Sequence, residues 1–366
     1  MLRVQREIAI QPLTSFLILV SSFIISLLLG AVVLAVAGYN PLEVYYLTYP
    51  PIFFSFNGIT ENLVTTIPLI LCSLGVAVPA KAGIWNIGIE GQFYFGAVAA
   101  TAIALAWPNL PSYLLIPLMI TAAALAAGLL AVVCVLPRVL YGVSEITTTL
   151  LMNYVVILFV RYMVSIKWKA ANTYAVQTPE FSESARLAIL IPDTRVHTGL
   201  IIAIIAAVSI YFFFRSTVWG YEARAIGDNS QGASYAGINI SKYFIGLMAI
   251  SGALSGVAGM LEVSGIVHRL QMGISADYGF SSFVIAWIAM LNSLAIIPVS
   301  YVFSGFITAG FSMQMLGLPS PITVTLEGAI LLFVLSGQVL ANYRIIWRGR
   351  KSLSSFRKKG SVELKE

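Results

Sequence analysis

Ser144–Leu150 reads SEITTTL and Ser320–Leu326 reads SPITVTL, matching at Ser, Ile, both Thr and Leu. Each copy opens a long apolar run. A weaker pair, GIEGQFYF at Gly88–Phe95 and GISADYGF at Gly273–Phe280, opens two more runs in the same order. Hydropathy places ten such runs, at roughly 13–37, 61–80, 91–107, 112–136, 147–165, 198–215, 242–262, 280–297, 299–317 and 322–342. The first pair begins runs five and ten, the second runs three and eight. An offset of five crossings is odd, so the repeat halves, 61–165 and 242–342, run in opposite directions across a membrane. Inverted repeats of this kind build transporters, with the pathway at the repeat interface.

Composition agrees with that reading. Of 366 residues, 59% are hydrophobic and only 10% charged, and the mean hydropathy is +0.91. No soluble fold hides that much apolar surface, so the chain is expected to be an all-α polytopic membrane protein, a single transmembrane domain over 1–366. The runs are about twenty residues long rather than ten with alternation, which argues against a β-barrel. Behind Arg3 and Arg6, the run Leu13–Ala37 is about twice the length of a signal-peptide core and is read as a retained first span. Cys72 and Cys134 both fall inside apolar runs, which points to neither a disulfide nor a metal framework. The two histidines, His197 and His268, sit in no HExxH or Ser–His pattern, and no GxxxxGK[ST] run occurs. Neither enzymatic chemistry nor a nucleotide, metal or cofactor site of its own is therefore expected.

Charge orients the chain. With the N-terminus inside, fifteen of the 21 Lys and Arg residues fall on the inner side, and four of the remaining six lie in the long outer loop 166–197. That asymmetry puts both termini in the cytoplasm of a multi-pass plasma (inner) membrane protein. The basic tail 343–366 reads as a topology anchor that also meets anionic lipid, so the net charge of +6 needs no nucleic-acid partner. The outer stretch Pro41–Thr60, rich in Tyr and Phe and free of Lys and Arg, suits an interfacial helix or a docking surface for an external partner, with the interfacial reading preferred.

On the inner side lies a polar island, Arg224–Ser241 (RAIGDNSQGASYAGINIS), with its own helix punctuation. Asp228 or Asn229 can N-cap, Gln231 stands at capping-box spacing from Asp228, and Gly237 suits a left-handed C-terminal cap. A helix over Ser230–Ala236 follows, with small Gly232, Ala233 and Ala236 and one aromatic, Tyr235. Such a helix is too short to stand alone in water, so it is read as a docking element. Elsewhere, KAGIWNIGIEGQ (Lys81–Gln92) interrupts the apolar pattern, as non-helical backbone does where it lines a cavity or is buried in protein. Asn86 and Gln92 could cap a helix or bond a polar solute, and Lys81 and Glu90 could pair. Asn153, Glu262, Asn292 and Glu327 are the other polar residues within runs. Candidates for the pathway are Asn86, Glu90, Gln92, Asn153, Asn292 and Glu327.

KAGIWNIGIEGQ, GVSEITTTLLMNY and ARAIGDNSQGASYAGINISKY together resemble three signatures of the permease subunits of ABC importers. The branch is that of ribose, branched-chain amino acid and nucleoside permeases. The resemblance is closest to nucleoside permeases served by a Bmp-type (basic membrane protein-like) binding lipoprotein. It implies that 224–241 is the coupling segment seated in a cytoplasmic ATPase, with Arg224, Gly227, Asp228, Asn229, Ala233, Tyr235, Ala236 and Gly237 as the coupling residues. It also implies a second permease subunit, identical or homologous, a separate extracytoplasmic binding protein, and ATP used by the partner rather than by this chain. One departure stands in AWIAMLNSLAIIPV, where Asn292 is kept but the Gly-Gly or Gly-Arg and the adjacent Pro of the family are replaced. An ion-coupled secondary transporter would also use inverted repeats. It would need mid-span acids, and Glu90, Glu262 and Glu327 all lie near span ends.

Overall fold

A computed structural model describes residues 2–6, 12–171, 174–341 and 343–347. The elements, in chain order, are β1 (Leu2–Arg6), α1 (Pro12–Val36), α2 (Pro41–Phe54), α3 (Phe56–Ala80), α4 (Ile89–Ala106), α5 (Ser112–Tyr141), α6 (Glu145–Tyr162), α7 (Gly199–Ser216), α8 (Val218–Asp228), α9 (Ser230–Tyr235), α10 (Ile240–Glu262), α11 (Tyr278–Ile288), α12 (Ser293–Met315), α13 (Ser320–Ala341) and β2 (Tyr343–Trp347). Nine of the ten apolar runs each fall on one helix, and the run expected at 280–297 is divided between α11 and α12. Among the described residues, eight helical stretches are long and apolar enough to cross a membrane. The expected all-α polytopic architecture is the one observed, with a single short ribbon added.

The described residues form two compact units, one within 1–41 and 328–347, the other within 42–327. In the first, β1 pairs antiparallel with β2 from Leu2↔Trp347 to Arg6↔Tyr343. The basic tail beyond Trp347 lies outside the described residues. The second unit is a bundle around α3, α4, α5 and α10. Its centre is α3, in which nearly every residue from Thr66 to Ala80 is buried.

The bundle closes because α10 carries small residues on one face, Ser251, Gly252, Ser255, Gly256 and Gly259. A Cβ at Gly256 would collide with Ala127 Cβ and Ala123 O of α5, and one at Gly259 with Phe93 O of α4. Backbone therefore lies directly on backbone, the arrangement that gives apolar helices their van der Waals attraction where lipid offers no hydrophobic gradient. The aromatic stretch Pro41–Thr60 forms α2 and the start of α3. Val44, Thr48 and Ile52 are buried along one stripe of α2, while Leu42, Tyr46 and Phe54 are exposed.

The long loop 163–198 opens with a π-helical turn at Met163–Lys167 and is laid down against the segment after α10. Thr178 N donates to Leu270 O (2.9 Å), Phe181 N to His268 O (2.8 Å) and Leu187 N to Ser264 O (3.1 Å). Since α7 runs from this loop to α8, the loop and the α8–α9 segment mark opposite ends of the bundle. Glu61, near the start of α3, pairs with Arg195 of the loop. At the other end of α3, Lys81 stacks its ammonium 4.2 Å from the Phe214 ring at the foot of α7.

The helices opened by the SEITTTL and SPITVTL copies begin near different ends of the bundle. Glu145, which opens α6, bonds to the loop following α3 at the α9 end. Met315, just before α13, lines a cavity with Glu61 and Arg195 at the long-loop end. The run expected at 280–297 is the one that departs. Its helix α11 stops after eleven residues, about 16 Å and too short to cross a bilayer. Met290 and Leu291 then take left-handed φ of 51° and 58°, and α12 starts at Ser293 rather than 299. Asn292, expected two-thirds of the way through a span, is instead the exposed N-cap of α12, accepting from Leu294 N at 3.0 Å.

Candidate functional site

Lys81–Gly88 leaves α3 and folds back into the bundle without helical hydrogen bonding. Asn86 Nδ2 donates to Ser251 Oγ (2.8 Å), eleven residues into α10, and Ser251 donates to Gly75 O (2.5 Å), five residues before the end of α3. Buried non-helical backbone must find partners, and α6 supplies them from residues four apart on one face. Glu145 Oε1 accepts from Trp85 N (3.1 Å), Thr149 Oγ1 from Ile87 N (3.1 Å), and Asn153 Oδ1 from Gly91 N (2.8 Å) while Asn153 Nδ2 donates to Ile87 O (2.8 Å). Arg138 holds the other oxygen of Glu145 at 2.6 Å.

Asn86 is fully occupied. Its Nδ2 also donates to Gln92 Oε1 (2.7 Å), and its Oδ1 accepts from Gly88 N and Gln92 Nε2 (both 3.0 Å). The geometry thus makes Asn86, Gln92 and Asn153 clamps of the 81–92 segment, with no spare edge on Asn86 for a solute. The possible Lys81–Glu90 pair does not form. Burial, with Arg224 adding to it, pushes the Lys81 amine down to about 8, whereas Glu90 Oε2 accepts from Gly279 N at 2.7 Å.

That last bond joins the two repeat motifs. Helix α11 begins with its first N–H groups held by Ser275 Oγ (from Tyr278 N, 3.1 Å) and by Glu90, so a carboxylate from α4 caps the positive end of α11. Phe93 and Tyr278, matched positions in GIEGQFYF and GISADYGF, meet edge-on at 5.9 Å. At the far end of α11, Trp287 stacks on Trp85 at 5.5 Å and 10°. Two helices with buried, non-helical entries therefore meet at their N-termini, the broken-helix arrangement found where transporters hold their cargo.

Above this junction, towards the long loop, lies a cavity of ≈ 500 Å³. Its lining includes Gly273, Ile274, Ala276 and Tyr278, Glu262 and Gln271, Thr308 and Ser312 of α12, and the paired Glu61 and Arg195. Of the acids singled out in the sequence only Glu262 reaches it. Glu327 is half-buried on α13, beside the position where a Cβ on Gly310 would stand.

At the opposite end, α9 runs Ser230–Tyr235, one residue shorter than expected. Asn229, rather than Asp228, is its cap, accepting from Gly232 N at 3.0 Å. Gly237 closes the turn at φ +84°. Helix α8 had no counterpart in the sequence reading and carries Arg224, which donates to Phe214 O. Gly227 of α8 lies on the backbone of Lys81 and Ala82, leaving no room for a side chain. Asp228, Asn229, Ala236 and Gly237 are exposed, and Tyr235 is 94% exposed. Ala233 differs: it is 5% exposed and packs inward, so it supports α9 rather than presenting a docking face.

A multi-pass helical bundle entered by buried, non-helical segments is the architecture of a membrane permease subunit. A family model described as "Branched-chain amino acid transport system / permease component" matches residues 58–335, and the chain belongs to that family. It is similar to a nucleoside ABC transporter permease protein of Lactococcus lactis subsp. cremoris, at 30% identity over 86% of this chain and 88% of the relative. A glucose ABC transporter permease protein of Haloferax volcanii is 29% identical, covering 87% of each chain. A guanosine ABC transporter permease protein of Bacillus subtilis is 28% identical over 90% of this chain and 96% of its own length. The chain is thus a permease subunit of the ABC type, a class that works with an ATPase and a substrate-binding protein.

Proposed function

We propose that this subunit carries nucleosides or related sugar-containing solutes inward, forming half of the pathway with a second permease, identical or homologous. A binding lipoprotein delivers solute to the long-loop end, which faces outward, and both termini and α8–α9 face the cytoplasm. Nucleoside and glucose permeases among the relatives support that solute class.

The observation that carries the mechanism is the contact of Gly227 with the Lys81–Ala82 backbone. The ATPase grips α9 around exposed Tyr235. When ATP draws the two ATPase subunits together, α8 moves with them and displaces the folded-back segment. The Trp85–Trp287 stack and the Glu90–Gly279 bond pass that displacement to α11, whose Tyr278 lines the cavity. Asn86, Gln92 and Asn153 keep the segment rigid enough to transmit it. Glu90 is already bonded to Gly279, which removes one of the three acids an ion-coupled carrier could use.

Proteoliposomes holding both permeases, the ATPase and the binding protein test it. Uptake of radiolabelled nucleosides that requires internal ATP and external binding protein is the expected result. Uptake by this chain alone, driven by an ion gradient, would overturn it.

A further inference from the structure

The cavity at the long-loop end has a lining that is more specific than a water-filled vestibule requires. Glu262, at the end of α10, is only 8% exposed and makes no hydrogen bond or ion pair among the described residues. Thr308 also lines the cavity, its Oγ1 shut off from solvent and, like the hydroxyls of Ser73, Ser293 and Ser300, without a partner. Buried polar groups are normally bonded, and a specific exception asks for an explanation. Ser312 adds a second hydroxyl on α12, one turn beyond Thr308, while Phe311 and Tyr278 supply apolar ring surface.

We propose that this cavity is a solute-holding site for an uncharged, polyhydroxylated ring, with Glu262 accepting from vicinal hydroxyls and Thr308 completing the set. The volume of ≈ 500 Å³ lies within the ~300–1,000 Å³ typical of small-ligand sites. A carboxyl that bonds adjacent hydroxyls is the same chemistry by which dinucleotide folds grip a ribose. The charge pattern selects against anions. Arg195 is paired with Glu61 at the cavity, so the lining residues offer no unpaired cation to hold a phosphate and a phosphorylated solute is disfavoured. Phe311 and Tyr278 offer faces for the apolar side of a sugar or for a base. Gly273–Tyr278, which contributes to the lining, is next to the α4–α11 junction, so a bound solute rests against the element that moves during transport.

This inference rests on the importer reading, and its test separates the two. In the complete complex, initial uptake rates are compared for a ribonucleoside and its 2′,3′-dideoxy counterpart, or for a monosaccharide and its vicinal deoxy form if that is the cargo. The wild type prefers the diol. Glu262→Gln and Glu262→Leu should cut the ratio of kcat/KM values, diol over deoxy, several-fold to about tenfold, as expected for losing or weakening a pair of hydrogen bonds to the carboxyl. Thr308→Val, a near-isosteric change, should lower it a few-fold. A ratio unchanged in the folded Glu262→Gln and Thr308→Val complexes would overturn the site while leaving the importer reading standing. A wild-type complex that moves no solute with ATP would refute the importer reading instead. Equal uptake of a nucleoside and its 5′-monophosphate by the wild type would also overturn the proposed selection.

Discussion

Gly227→Ala is a sharp perturbation, because two effects of known sign compete there. Gly227 lies within helix α8, where alanine is favoured over glycine by about 1 kcal/mol on propensity alone. The added Cβ, however, would collide with the carbonyl oxygen of Lys81 and stand 3.1 Å from its carbon and 3.4 Å from Ala82 Cα. All three are backbone atoms, and the segment carrying them is pinned by Glu145, Thr149 and Asn153. Such overpacking costs about 1–3 kcal/mol, so the net effect is a loss of up to about 2 kcal/mol rather than a gain. Helix α8 is also forced away from Lys81, loosening the link between α9 and the bundle. Gly328→Ala is the control: it is helical, with nothing within 4 Å of an added Cβ, and should gain stability or stay level. Unfolding in detergent and ATPase activity of the assembled complex would be measured for both. Gly227→Ala should lower Tm and the ATPase stimulation given by loaded binding protein. A Tm raised as far as in Gly328→Ala, with full stimulation, would refute the contact as a link.

Asn153→Ala strips partners from Gly91 N and Ile87 O, two buried backbone groups, and should cost about 2–6 kcal/mol in denaturant unfolding; a loss under about 1 kcal/mol would mean the segment re-satisfies itself. Tyr235→Ala, at a side chain 94% exposed, should leave stability within about 0.5 kcal/mol yet prevent copurification of the ATPase. Ala233→Arg should instead lower stability and assembly together, since that side chain is buried. The buried His197 Nδ1 accepts from Gly199 N at 3.1 Å, which requires the neutral ring. Burial, with His268 adding to it, pushes His197 down to about 4. Between its ordinary 6.5 and 4 the unfolded chain binds more protons than the folded one, so stability rises with pH there and falls on acidification, by at most about 3.4 kcal/mol. His197→Asn should flatten that part of a Tm–pH curve, and an unaltered slope would assign it to other groups.

Much of this was legible in the sequence because it is local. Apolar length placed nine of the ten runs on single helices, and the Asn229 and Gly237 caps located α9 to within a residue. The repeat was legible as matched strings, and its meaning as contact appears only in Phe93 against Tyr278. The truncation of α11 escaped because hydropathy counts apolar residues and is blind to the left-handed turn at Met290 and Leu291, which are ordinary apolar residues. Glu145, Thr149 and Asn153 stood four apart in plain view. Their partners are backbone groups some sixty residues earlier, and no side-chain pattern announces a carbonyl. The cavity was missed for the same reason: Glu61, Arg195, Glu262 and Thr308 come from four distant segments. Ala233 was misjudged because a small residue on a short helix reads alike whether it packs inward or outward.

The central claim is that α9 is the cytoplasmic seat of the ATPase. Cys72 and Cys134 are both buried, so Tyr235→Cys offers one reactive thiol in an otherwise quiet background. A membrane-impermeant maleimide should label it in inside-out vesicles only, and addition of the ATPase should protect it. Labelling from the outer face, or undiminished labelling with the ATPase bound, would contradict the account.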